Sequence, residues 1–180
     1  IGVDIERVLN FANSKIKVDV GTEDPKQTVT SGSGVNGLEN SGHVANTGYS
    51  DQYTDNAIGM YVNLASTFTL SDYEIKLGEF SQKGIGVRIE NGHLTLGSNM
   101  VDLTTKHSLV SDGGMGNILI VGIGSSSSVT TDTNTTLDVK NGKSQVGMYA
   151  NTGSSIINAG TLNASGEGTK GIIVDTASTI

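Results

Sequence analysis

Cysteine and tryptophan are absent from the 180 residues, and proline occurs once. Aromatic residues make up 4% of the chain, and Arg7 and Arg88 are its only arginines. Each shortage excludes something. Without cysteine there are no disulfides and no thiolate metal ligands. A cysteine-free chain also cannot cross-link while still unfolded in an oxidising periplasm, which suits secretion. So few aromatics cannot fill a thick globular core; an architecture that buries a narrow core along its whole length fits better. A formal net charge of -7 with no cluster of Lys and Arg leaves little to displace counterions from phosphates. That argues against a nucleic-acid partner and against an anionic membrane surface. No apolar run approaches the roughly 18 residues of a membrane span, so this segment is not expected to insert into a membrane. The chain opens at Ile1 without a secretory leader and stops at Ile180 in mid-pattern. The expectation is a segment whose targeting and anchoring parts lie elsewhere.

What is present is glycine, 25 residues of it, set in a repeating order. A glycine followed by alternating apolar residues occurs at Gly59-Met60-Tyr61-Val62, Gly86-Val87-Arg88-Ile89, Gly147-Met148-Tyr149-Ala150 and Gly171-Ile172-Ile173-Val174. A weaker copy starts at Gly116. The steps between these glycines are 27, 30, 31 and 24 residues (59 to 86, 116, 147 and 171), within the range of stacked repeats. A second unit, turn then short strand, aligns residues 40–48 with 158–166, and 91–97 as a partial copy. Locally the period is two: Ile16, Val18 and Val20 alternate with polar neighbours, as do Leu137 and Val139. Such alternation marks strands with one buried face. Asn36-Gly37, Asn91-Gly92 and Asn141-Gly142 punctuate them as turns. Residues 3–12 read as a first strand, with a short helix as the alternative.

These features predict an all-β chain, a parallel β-helix of about six coils. At about 4.8 Å per coil it forms a rod of about 30 Å. The alternative is an antiparallel β-sandwich, whose hairpins also use Asn-Gly turns. Residues 1–55 depart from the repeat and read as irregular coils or an insertion. Residues 56–180 carry the regular repeat.

The Gly-Met-Tyr segments (59–62 and 147–150) and the Asn-x-Gly-x-Leu/Val units (40–44 and 158–162) resemble autotransporter passenger domains of type V secretion. They are most similar to the large fusobacterial autotransporter adhesins. The resemblance implies a right-handed β-helix displayed at a bacterial cell surface and anchored to the outer membrane through other parts of the protein. It also implies attachment to host cells or to other bacteria.

Motifs with chemical meaning do not assemble. Two G-x-G-x-x-G matches (Gly32, Gly34, Gly37 and Gly166, Gly168, Gly171) lack the strand before and helix after that phosphate binding needs. Gly142-Lys143-Ser144 resembles the end of a P-loop, but its first glycine position holds Leu137. Asp112 to Asn117 resembles a calcium-binding nonapeptide, but Ile118 holds the Asp position and offers no oxygen. It reads as a glycine-rich corner. His43, His93 and His107 read as exposed turn residues, and Ser125 to Ser128 as a flexible loop. Arg88, flanked by Val87 and Ile89, is expected to point outward. The 18 acids are scattered. No catalytic residue, metal ligand or cofactor is expected.

The segment from Gly48 to Asp55 stands apart. Tyr49, Asp51, Gln52, Tyr53 and Asp55 lie together there. Aromatic faces beside carboxylates and amides suit glycan contact, and tyrosine is favoured at protein interfaces. The expectation is a monomeric, non-enzymatic adhesin segment that binds a host-cell or bacterial surface glycan or protein through this loop. A polysaccharide-degrading β-helix and a purely structural stalk are the alternatives.

Overall fold

The computed structural model describes residues 3–5, 16–21, 54–70, 73–97 and 107–180. Among them there is no helix, and every strand pairing is parallel. The antiparallel sandwich is thereby set aside. One sheet stacks β1 (Val3–Ile5), β4 (Ile58–Leu70), β7 (Ile85–Leu96), β9 (Ile118–Ile123), β12 (Val146–Asn151) and β15 (Lys170–Val174) in that order. Its bent second arm takes in β10 (Ser127–Thr131) and β13 (Ser155–Asn158). The other long sheet stacks β2 (Ile16–Val20), β5 (Tyr73–Leu77), β8 (His107–Asp112), β11 (Thr135–Lys143) and β14 (Thr161–Glu167). A short ladder joins β3 (Thr54–Asp55) to β6 (Ser81–Gln82) and runs on through Met115 and Lys143. The chain leaves each sheet and returns to it one strand further along, the winding of a parallel β-solenoid. Val3–Ile5 is a strand and not a helix; residues 6–12 lie outside the described residues.

Alternation builds the core. Met60, Val87, Ile120 and Met148 occupy one register column and are all buried. Ile75, Leu109 and Leu137 form a column on the second sheet, and Phe68, Leu94, Val129 and Ile156 one on the bent arm. Each such aliphatic side chain contributes about 1.5–3 kcal/mol on burial. Few aromatics are needed, because each coil fills only its own thin slice.

The register corrects one alignment made from sequence. Opposite Gly86 and Gly147 stands Leu119, not Gly116. The steps are therefore 27, 33, 28 and 24 residues (Ile58 to Ile85, Ile118, Val146 and Lys170). Gly116 belongs to a corner in which Gly113, Gly114 and Gly116 all have positive φ, a conformation glycine adopts at least cost. The strand glycines have a different reason. A Cβ at Gly59 would sit 2.8 Å from the Gly86 carbonyl oxygen, and one at Gly147 would sit 2.6 Å from that of Gly171. The likeness of 91–97 to 158–166 also fails as a structural equivalence. Thr161 to Ala164 pair with Thr136 to Val139 on the second sheet, whereas His93 to Leu96 pair with Thr67 to Leu70 on the first.

Polar groups are buried too. Gly84, Asn117 and Gln145 share a column beside the corner, their backbones linked coil to coil. Asn117 Oδ1 accepts from the Gly84 N–H at 2.9 Å and from Ser81 Oγ at 3.1 Å, while its Nδ2 donates to Ser111 Oγ at 3.3 Å. Ser111 Oγ in turn donates to Gln145 Oε1. These four side chains are fully buried. The network satisfies its members internally, as burial demands.

Candidate functional site

Tyr49, Asp51, Gln52 and Tyr53 lie outside the described residues. The backbone of Asp55 is placed: it pairs with Gln82 at the corner ladder. Asp55 thus ends a strand, β3, and does not lie in a loop; β4 begins three residues later at Ile58, and Tyr61 follows Asp55 by six positions.

Tyr61 belongs to a row on the outer face of the first sheet. The register sets Tyr61 beside Arg88, then Val121, Tyr149 and Ile173. Tyr61 and Tyr149 are three rungs apart, roughly 14 Å at the ordinary strand spacing. Val121 faces outward yet is only 4% exposed, so its neighbours cover it and the row forms a continuous ridge.

Each tyrosine is held by a carboxylate from the next coil. Tyr61 Oη donates to Glu90 Oε2 at 2.7 Å. Tyr149 Oη donates to Asp175 Oδ2 at 3.3 Å. In both cases the acid stands two residues beyond the tyrosine's ladder partner, Glu90 after Arg88 and Asp175 after Ile173. Glu90 gains its position from a bulge: Val62 pairs with Ile89 and Asn63 with Asn91, leaving Glu90 as the extra residue. Bulges commonly re-aim a side chain in this way. Arg88 Nε donates to Glu90 Oε1 at 2.8 Å, and its Nη2 contacts the same oxygen. Arg88 thus points outward, as its flanking residues predicted.

Electrostatics follow from these contacts. The Tyr61 hydrogen bond, then the Arg88 one, holds the Glu90 carboxyl below its ordinary range. The bond to Glu90, with partial burial and the Glu90 charge, raises the Tyr61 phenol. Burial and the nearby Asp175 charge raise Tyr149. The Thr176 backbone N–H, then its hydroxyl, lowers Asp175, with a smaller part from Tyr149.

Other sequence candidates fall elsewhere. His93 is exposed, its Nδ1 2.6 Å from Ser128 Oγ, but it sits within β7 and not in a turn. His107 is 1% exposed and stacks on Tyr73 with ring centroids 5.0 Å apart. It is a core residue because it begins β8 on the inward register. His43 lies outside the described residues. The serine run is a turn only in its first half: Ser125 and Ser126 form the exposed turn between β9 and β10, whereas Ser127 and Ser128 open β10, and buried Ser127 donates to the Ile123 carbonyl at 2.6 Å. Gly166, Gly168 and Gly171 span the turn from β14 to β15, with no helix to follow; Gly32 to Gly37 lie outside the described residues. Lys143 pairs with Glu167 at 3.2 Å, on the surface. Among the described residues no group of three or more His, Asp or Glu is placed to hold a metal. A shallow polar groove of about 420 Å3 runs beside the corner, between Lys76, Glu79, Asp112 and Asn141. Asp112 is already engaged there by Asn141 Nδ2 at 2.9 Å.

The ridge was missed from sequence although Tyr61 and Tyr149 hold equal places in the Gly-Met-Tyr repeat. Their partners Glu90 and Asp175 are 29 and 26 residues away, and only the register joins them. No family model, no curated protein and no solved structure matches the chain.

Proposed function

We propose that this chain is a non-enzymatic segment of a bacterial cell-surface adhesin. In this reading it is a right-handed parallel β-helix of about six coils, a monomeric passenger of type V secretion displayed outside the outer membrane. Its partner is a glycan or protein on host cells or on other bacteria. The observation that supports this best is the outward ridge from Tyr61 to Ile173. Two tyrosine rings tethered by carboxylates stand on the outer face of the first sheet. Tyrosine offers a large amphipathic contact area at such surfaces. The segment of Tyr49, Asp51, Gln52, Tyr53 and Asp55 remains the first contact candidate, because it stands just before the strand that bears Tyr61 in the sequence. Many weak contacts along a displayed rod gain avidity from multivalency.

The test is adhesion of beads coated with the purified chain to host cells and to other bacteria. Binding above an uncoated control is expected. Tyr49→Ala with Tyr53→Ala should reduce it, as should Tyr61→Ala with Tyr149→Ala. Beads that adhere to nothing would leave a plain stalk as the better description.

A further inference from the structure

The groove of about 420 Å3 beside the glycine corner is lined by Lys76, Glu79, Asp112 and Asn141. Its volume falls in the range of small-molecule sites, but it is polar where such sites are commonly apolar. The walls come from neighbouring strands of the second sheet: Lys76 from β5, Asp112 from β8 and Asn141 from β11. The groove therefore spans two rungs of the rod, roughly 10 Å at the ordinary strand spacing.

Local structure positions these side chains. β11 bulges at this point: Val139 pairs with Ala164 and Gly142 with Gly166, so Lys140 and Asn141 together face the single Ser165. Asn141 has a left-handed backbone there, with φ of 56°, and bulges commonly re-aim a side chain. Its Nδ2 donates to Asp112 Oδ1 at 2.9 Å, and Lys140 Nζ lies 4.0 Å from Asp112 Oδ2. Asp112 is thus fixed by one oxygen and keeps the lone pairs of the other. Gly113 lets the preceding coil close in, because a Cβ there would sit 2.8 Å from both Cα and Cβ of Glu79. Among the described residues the side chains of Lys76 and Glu79 have no ion-pair or hydrogen-bond partner.

We propose that this groove binds an uncharged sugar residue of a surface glycan. The inference deepens the adhesin reading and rests on it, choosing glycan over protein as the partner.

The balance of charge and hydrogen bonding selects the ligand class. Lys76 offers donors only, while Glu79 and Asp112 Oδ2 offer acceptors only. An anion would meet two carboxylates. A cation would meet Lys76, with Lys140 beyond Asp112. A hydroxyl both donates and accepts, so neighbouring hydroxyls of one sugar ring serve both kinds of group without adding a charge. Hydrogen bonds to charged groups are the stronger kind, but an open polar groove leaves them partly solvated. One sugar is therefore expected to bind with a Kd on the order of 1 mM. A formal charge of -7 disfavours anionic glycans and leaves neutral ones unaffected.

The experiment is amide NMR of the full 180-residue chain. It is titrated with the methyl glycosides of galactose, glucose, mannose and N-acetylglucosamine, each to about 50 mM. Glucuronate and protonated glucosamine serve as charged controls. At least one neutral glycoside is expected to give saturable shifts at Lys76, Glu79, Asp112, Gly113 and Asn141, and to bind more tightly than either charged sugar. Glu79→Gln and Lys76→Gln should each weaken that binding at least about fivefold. Asn141→Gly tolerates the left-handed backbone but releases Asp112, and should weaken binding too. Absence of saturable shifts at these positions with every neutral glycoside would overturn the proposal. So would tighter binding of a charged sugar, or indifference to both Glu79→Gln and Lys76→Gln. Beads that adhere while the groove stays silent would sink this inference and leave the adhesin reading standing. A groove that takes up a glycoside, in a chain whose beads adhere to nothing, would keep the sugar site and remove the adhesin reading.

Discussion

Replacing Asn117 by leucine tests whether buried hydrogen bonds hold the coils in register at the glycine corner. The side chains have similar volume, so neither a cavity nor a clash complicates the outcome. The change removes the acceptor of the Gly84 N–H (2.9 Å) and of Ser81 Oγ (3.1 Å), and the donor to Ser111 Oγ (3.3 Å). Ser81, Ser111 and Asn117 are fully buried, so water does not replace the lost partner. The Gly84 N–H cannot rotate to another acceptor. Stranding one buried donor costs about 1–3 kcal/mol, and the Ser81 hydroxyl adds about 1 kcal/mol if it finds no substitute. Burial of the leucine offsets part of this, leaving a net loss of about 1–3 kcal/mol. Urea denaturation followed by circular dichroism should show a lower midpoint at an unchanged slope. A solenoid unfolds in part coil by coil, so a local readout is more discriminating. Amide exchange at Gly84 should accelerate well beyond that of Leu137, which lies in the core of another coil. A midpoint shift worth less than about 0.5 kcal/mol, together with unchanged Gly84 exchange, would refute the reasoning.

Met148 and Ile172 share a core column but are 1% and 49% exposed. Met148→Lys should therefore cost several kcal/mol, while Ile172→Lys should stay near 0.5 kcal/mol, as measured by thermal unfolding. Burial pushes the Tyr73 phenol up strongly, against a smaller opposing effect of its bond to Thr135. Its contribution to stability is therefore complete below about pH 10, where an unfolded tyrosine ionises, and is lost as pH rises beyond it. Absorbance titration should show Tyr73 ionising only as the chain unfolds, and Tyr73→Phe should remove that step. Glu90 is shifted the other way. Its bonds from Tyr61 and Arg88 stabilise the fold above the unfolded carboxylate value of about 4.3, and that support fades as pH falls through the lower folded value. The stability gap between the parent chain and Glu90→Gln should thus narrow on acidification from pH 7; a gap constant down to pH 2 would contradict the assignment.

Strand alternation was legible in sequence because a half-buried strand repeats every two residues whatever its neighbours. Ile16, Val18 and Val20, and likewise Leu137 and Val139, fall in strands as read. Position within the coil was harder to read. Gly116 imitated the strand glycines, yet it turns a corner, and Leu119 stands in their column. Ser125 to Ser128 had the composition of a loop, yet Ser127 and Ser128 open β10, since the Ser127 hydroxyl finds the Ile123 carbonyl. His107 looked like a turn histidine because its stacking partner Tyr73 lies 34 positions away in the chain and one rung away in space.

The sequence by itself determined an all-β chain with a thin aliphatic core, because period-two apolar residues and scarce aromatics permit little else. Tertiary structure decided which residues of different coils became neighbours. That depends on register, and register depends on the accumulated length of every corner between strands, a sum no local pattern contains. Tyr61 therefore meets Glu90 and Tyr149 meets Asp175 only in the folded chain, and Asn117 finds its partners only where three segments of the chain converge.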